Sequence, residues 1–298
     1  MSDKWFYAQG SLSRDGWESV VDETIAGWQY TGIRVAAMAP GREVRLPAEA
    51  TERLIVPLSG SFTVRYRLAG EGETLIQDLA GRASVFHGAT DTLYLPTGTS
   101  LTITGSGRVA IATAPTAEVH PVAYLPARSV PVELRGAGRS SRQVHDFGTP
   151  QSLDAARLIV CEVITPAENW SSYPPHKHDE YLPGTESQLE EIYYFETAVA
   201  RGQKAPASAD PFGYLRNYAS SAGDIDTLDE VRTGDIALVP YGWHGPCVAA
   251  PGYDLYYLNV MGGPDPERTW KISDDPAHAW IRATWTGQAL DARLPYTR

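Results

Sequence analysis

The chain of 298 residues is 43% hydrophobic and 20% charged, enough to bury a large core and too apolar for intrinsic disorder. Its 36 acidic against 25 basic residues leave a formal charge of −11, which disfavours nucleic acid and anionic membranes as partners. Two cysteines, Cys161 and Cys247, cannot supply a disulfide scaffold or a four-thiolate zinc site. No run approaches the ~18 apolar residues of a membrane span, and the opening residues lack the apolar core of a signal peptide, so a cytoplasmic protein is expected.

Along the chain, 27 glycines and 22 prolines leave little room for long helices. Only 15–24 and 274–284 read as short helical pieces. Between the breakers lie segments rich in β-branched and aromatic residues: 53–58 (RLIVPL), 61–68, 84–88, 91–96, 100–104 and 108–114. The texture returns at 156–165 (ARLIVCEVIT), 191–196 (EIYYFE), 235–240 and 253–260 (YDLYYLNV). Short strands parted by turns every 8–12 residues read as an all-β protein. A weak internal repeat matches a strand and Pro-x-Gly turn at Pro96 and Gly98 with another at Pro240 and Gly242. The reading is therefore two tandem β-barrels, 1–115 and 146–298, joined by a Pro-, Ala-, Arg- and Ser-rich crossing at 116–145.

The chemistry concentrates in the second unit. His176 and His178 lie one residue apart in YPPHKHDE, so on an extended segment both imidazoles point to one face. In LEEIYYFE, alternation places Glu191, Tyr193 and Phe195 on one face and Glu190, Ile192 and Tyr194 on the other. Glu191 is the expected inward carboxylate. His244 follows the second Pro-x-Gly turn, in VPYGWHGP. Three imidazoles and a carboxylate suit one divalent transition metal, Zn, Fe, Mn, Co or Ni. His87, His120 and His278 have no comparable pattern, and Cys247 reads as a buried, inert thiol. The segment from 179 to 187 carries Pro and Gly and reads as a flap.

The run HKH … E … PYGWH resembles the two motifs of the cupin superfamily, small β-barrels holding a metal through three His and one Glu. PPHKHDE, LEEIYYFE, GDIALVPYGWHGPCVAAPGYDLYYLNVMGGP, SVFHGATDTLYLPTG and RGAGRSSRQVHDF together resemble the 5-deoxy-glucuronate isomerase family of myo-inositol catabolism. That resemblance implies two cupin-type barrels, the first metal-free, and conversion of 5-deoxy-glucuronate to 5-dehydro-2-deoxy-gluconate. Such a reaction removes a proton from the carbon beside a carbonyl and returns it to the neighbouring carbon, which calls for a metal to polarise the oxygens and a general base. The candidates for the base are Glu190, Tyr193, Tyr257 and Lys177. The uronate carboxylate needs a guanidinium clamp, for which Arg142 ranks first, with Arg139 and Arg216 behind it. Alternatives of other classes are a related uronate ketol-isomerase, a metal cupin dioxygenase and a non-catalytic sugar-binding bicupin. Assembly into a homo-oligomer is compatible with the chain.

Overall fold

The computed structural model describes residues 5–297, and nearly all regular structure in them is β. Helical turns are short and of 3₁₀ type, at Ala127–Ser129, Gly138–Ser140 and Ala279–Trp285. The last of these falls on the second expected helical piece. The first piece, 15–24, is instead a run of turns around the strand Ser19–Val21, whose valines pair with Gly32–Met38. The β-branched pair and a left-handed Gly16 outweigh the helical reading.

The first half forms an eight-stranded antiparallel sheet built around two long strands, Thr51–Arg67 and Ser100–Pro115. They pair along nearly their whole length, with a bulge between Pro57 and Ser59, so each contributes to two layers. Gly60 lies opposite Gly107 at this bend. A Cβ on Gly60 would stand 1.8 Å from the Ser106 carbonyl oxygen, so only glycine allows the backbones to meet. Ile55, Phe62, Leu93, Ile103 and Ile111 fill the core of this unit.

The second half has two facing sheets. One runs in the order Phe6–Tyr7, Ile236–Val239, Glu190–Val199, Tyr253–Gly262, Ile159–Thr165, Arg142–Gly148, Val132–Arg135. The other runs Gly223–Val231, Gly213–Ser220, Trp243–Ala249, His176–Lys177, Ser273–Asp274. Sheet membership does not follow the boundaries expected at 115 and 145. Phe6–Tyr7 joins the second half, pairing with Ile236 and Ala237. Within the expected crossing, Ala123–Leu125 adds to the first sheet, whereas Val132–Arg135 and the start of Arg142–Gly148 are strands of the second. The composition of this stretch hid three strands.

The two halves share a core. Leu54, Val56, Tyr94 and Ala112 from the first pack with Ile164, Ile192, Tyr194, Tyr256 and Leu258 from the second. Each half also lends the other a carboxylate. Glu52 accepts from the backbone N–H groups of Ala156, Arg157 and Leu158 and from the Tyr94 hydroxyl. Glu190 accepts from the N–H groups of Gln29, Tyr30 and Thr31 and from the Thr31 hydroxyl. At the same interface Arg82 grips Glu162 through two 2.6 Å bonds, and Glu162 also accepts from Tyr256 at 2.7 Å and contacts His145 Nδ1 at 2.6 Å. Burial works against the ionised Glu162, but Arg82 and His145 outweigh it and hold the carboxyl down at about 2.

Candidate metal centre and substrate cavity

The strand Glu190–Val199 shows the alternation read from its sequence. Tyr193 and Phe195 point into the core between the two sheets of the second half, and Ile192 and Tyr194 into the core between halves. Glu191 follows Tyr193 inward and lines a cavity of about 560 Å³. His176 and His244 are register partners on adjacent strands, which brings the His-x-His segment against the Pro-x-Gly turn. The ring centroid of His244 lies 4.5 Å from that of His176 and 4.6 Å from that of His178.

Donor atoms of His178, Glu191 and His244 all lie within 4.8 Å of one another, and all three residues are buried. His178 Nε2 is 3.1 Å and His244 Nε2 3.2 Å from the same oxygen, Glu191 Oε2. His176 stands at the cavity side of this triad. Each imidazole turns Nδ1 toward a backbone carbonyl: Pro174 for His176 at 3.3 Å, Leu189 for His178 at 3.0 Å, Gly242 for His244 at 3.1 Å. A carbonyl only accepts, so Nδ1 carries the hydrogen and Nε2 offers its lone pair, the arrangement usual for metal-ligating histidines.

A lone pair facing a carboxylate oxygen is repulsive unless a cation lies between them. For His178 a proton can serve: burial opposes its charged form, but the Glu191 bond prevails and raises its pKa. His244 Nε2 is buried without a hydrogen-bond partner among the described residues, despite the nearby carboxylate. Burial and the neighbouring imidazoles push His176 well below its ordinary value, so it too offers a neutral nitrogen. Burial disfavours ionised Glu191, yet hydrogen bonding and positive charge from the imidazoles lower its carboxyl to about 2, a role that a metal cation would take over with the imidazoles neutral. Neutral nitrogens around one carboxylate suit a divalent transition metal.

The other sequence candidates divide. Tyr193 and Tyr257 line the cavity, and each hydroxyl is 3.2 Å from Ser172 Oγ. Burial pushes both phenols up, so they stay protonated. Glu190 is a correction: it points to the opposite face, where its carboxylate is consumed by residues 29–31. Lys177 is another. It points away from its two histidine neighbours and bonds Asp179 at 2.6 Å, Glu186 at 2.8 Å and Glu180 at 3.0 Å. That network also pins the expected flap, in which Asp179–Leu182 and Glu186–Gln188 form a hairpin. Asp179 in turn accepts from the Gly242 N–H at 2.8 Å, tying the hairpin to the turn that carries His244.

Among the arginines, Arg142 lines the cavity and is buried, with its guanidinium 5.7 Å from the Trp285 ring centroid. Burial, together with the nearby Arg135 and Arg282, pushes it down to about 10. Arg135 bonds Glu133 and Arg282 bonds Asp274, but among the described residues Arg142 has no ion-pair partner. Arg139 and Arg216 do not join it. Arg139 is largely exposed and pairs with Glu168 at 3.0 Å, and Arg216 pairs with Asp226 on a different strand face. The sequence reading missed Asn259, Trp270 and Ser172. Asn259 alone left a signal, as a polar residue sharing the inward face with Tyr257 in the apolar stretch 255–261.

Two tandem β units with a His/Glu set inside the second define a bicupin. The fold is shared with the oxalate decarboxylase of Bacillus subtilis, TM-score 0.60 at 11% identity over 92% of this chain and 80% of that one. The KduI/IolB family model matches residues 6–281, and the chain belongs to that family. It is 38% identical over 266 residues to the 5-deoxy-glucuronate isomerase of Geobacillus kaustophilus, covering 88% of this chain and 89% of that protein. The match to its counterpart in Shouchella clausii is 39% over 233 residues, 77% of this chain and 79% of that one. An IolB-like protein from Salmonella typhimurium superposes with TM-score 0.80 at 32% identity, over 93% of this chain and 98% of the other.

Proposed function

We propose that this protein is a metal-dependent aldose–ketose isomerase that converts 5-deoxy-D-glucuronate to 5-dehydro-2-deoxy-D-gluconate in myo-inositol catabolism. The observation that carries the reading is the buried His178, Glu191 and His244 cluster set against a cavity that Glu191 and His176 line together with Arg142, which has no ion-pair partner among the described residues. The curated relatives bear the name of this reaction and align over most of both chains.

The four side chains would hold one divalent transition metal, with Zn, Mn, Fe, Co and Ni all compatible with the donor set. Such an ion supplies Lewis-acid polarisation of the substrate's carbonyl and adjacent hydroxyl. The remaining work belongs to the chain. Arg142 receives the carboxylate of the uronate, which the −11 net charge would otherwise repel. Tyr193 and Tyr257, linked through Ser172, present hydroxyls beside Glu191 that hold protons near the reacting carbons. Burial of the triad excludes water from the centre. The chain is proposed to act on this small anion in the cytoplasm. No helix among the described residues is long and apolar enough to cross a membrane.

The test is an NMR assay on 5-deoxy-glucuronate. Loss of the aldehyde-hydrate signal with growth of a ketose, without oxygen consumption, is the expected result. An unchanged substrate in metal-replete protein contradicts the proposal, and oxygen uptake with an oxidised product would point to a dioxygenase.

A further inference from the structure

Two buried donors in the cavity have no hydrogen-bond partner among the described residues. Asn259 lies on the inward face of Tyr253–Gly262, in register with Cys161 on one side and Tyr193 on the other. It is 4% exposed, and its Oδ1 faces the Cys161 thiol at 4.0 Å, which leaves Nδ2 buried with no partner. Trp270 stacks against the Arg135 guanidinium, 5.4 Å from its ring centroid, and its Nε1 is likewise buried and unpartnered. Both side chains line the cavity that Glu191, His176 and Arg142 line. Folded proteins seldom leave buried N–H groups unpaired, and two in one polar cavity point to ligand oxygens.

We infer that Asn259 and Trp270 are substrate-binding residues that grip the uronate at its two ends, an inference that rests on the isomerase reading. Asn259 serves the reactive end, because its register partner Tyr193 sits two residues from Glu191 on the same face. Its amide donates to a hydroxyl or carbonyl oxygen of the sugar chain. Trp270 serves the carboxylate end, because it packs on Arg135, the register partner of Arg142. Its indole N–H adds a directional donor to the guanidinium clamp. Glu133 and Asp274 also line the cavity, but Arg135 and Arg282 engage them, so they do not compete for these donors. A compound lacking either acceptor oxygen leaves a buried donor unsatisfied and is rejected, the strong form of polar discrimination.

The test uses Trp270→Phe, which keeps an aromatic ring and removes the N–H, and Asn259→Leu, which keeps the approximate volume. Metal content and melting temperature are measured beside the kinetics of 5-deoxy-glucuronate isomerisation. Trp270→Phe is expected to raise KM about tenfold with little change in kcat, and Asn259→Leu to lower kcat/KM about tenfold or more, both with wild-type metal content. Should Asn259→Leu fold poorly, Trp270→Phe still decides its own arm and Asn259→Ser replaces it in the other. Wild-type kinetics in folded variants would overturn the inference while leaving the isomerase intact. Activity lost in proportion to metal would also overturn it, by moving Asn259 to the metal site. An inert wild-type protein would remove the isomerase reading and this inference with it.

Discussion

The two halves carry the same framework with opposite chemistry at one position. In the second half Glu191 pairs in register with Val239, the residue before Pro240 and the turn to His244. In the first half Arg53 pairs with Leu95, the residue before Pro96 and the turn to Ser100. Arg53 therefore occupies the place of Glu191, and Ser100 that of His244. The Arg53 guanidinium is buried and bonds the Thr99 and Pro47 carbonyls and the Glu49 carboxylate. The first half thus closes its end with a permanent cation of its own, whereas the second gathers neutral nitrogens around an anion and needs a cation from outside. One residue earlier the halves agree again: Glu52 and Glu190 each anchor the partner half's backbone. Framework and chemistry are separable, and a few side chains decide which unit carries a site.

The largest effect should come from breaking the second-half position. Glu191→Gln is expected to strip bound metal and to lower kcat by roughly 10²-fold or more, read by elemental analysis and turnover. Arg53→Ala, at the matching place, should lower the melting temperature while leaving metal content and kcat near wild type. Next, Arg142→Ala should reduce kcat/KM by roughly 30-fold with metal retained, the scale of losing a desolvated charge pair. Kinetics unchanged in that variant would remove Arg142 as the clamp.

Smaller effects separate anchors from catalysts. Glu190→Gln and Glu52→Gln should each destabilise by about 1–3 kcal/mol in denaturant melts, because backbone donors lose a charged acceptor. Neither should change kcat by more than a few-fold, whereas a catalytic base at Glu190 would show a far larger loss. The interface also carries an acid signature. The Glu162 carboxyl lies at about 2 in the folded protein, below the ordinary 4.5, so its contribution is present at neutral pH. That contribution should be lost as pH falls from about 4.5 toward 2. Melting temperatures in Glu162→Gln should be lower at neutral pH and flatter across that acid window.

What could be read from sequence follows from how local each signal is. The facing of Glu191 against Glu190 is a two-residue alternation, and the strand keeps it. The His-x-His and Pro-x-Gly-x-His segments meet because His176 and His244 are register partners, a pairing their chemistry foreshadowed. Lys177 misled because its two neighbours are the paired histidines, while the same alternation that turns them inward turns it toward Asp179 and Glu186. Arg139, ranked behind Arg142, lies only three residues from it in the same run. Only the strand starting at Arg142 aims one inward and leaves the other beside Glu168. Trp270 left no pattern at all, since the segment bearing it lies between strands and its role depends on Arg135, far away in the chain.

The central claim is that the second half alone holds a metal on which isomerisation depends. The most direct measurement strips the protein with a chelator, adds a divalent transition metal back in steps, and follows 5-deoxy-glucuronate turnover by NMR at each step. The account predicts no turnover in the stripped protein and a linear recovery that saturates at about one metal per chain. Full turnover in protein shown to be metal-free would contradict it.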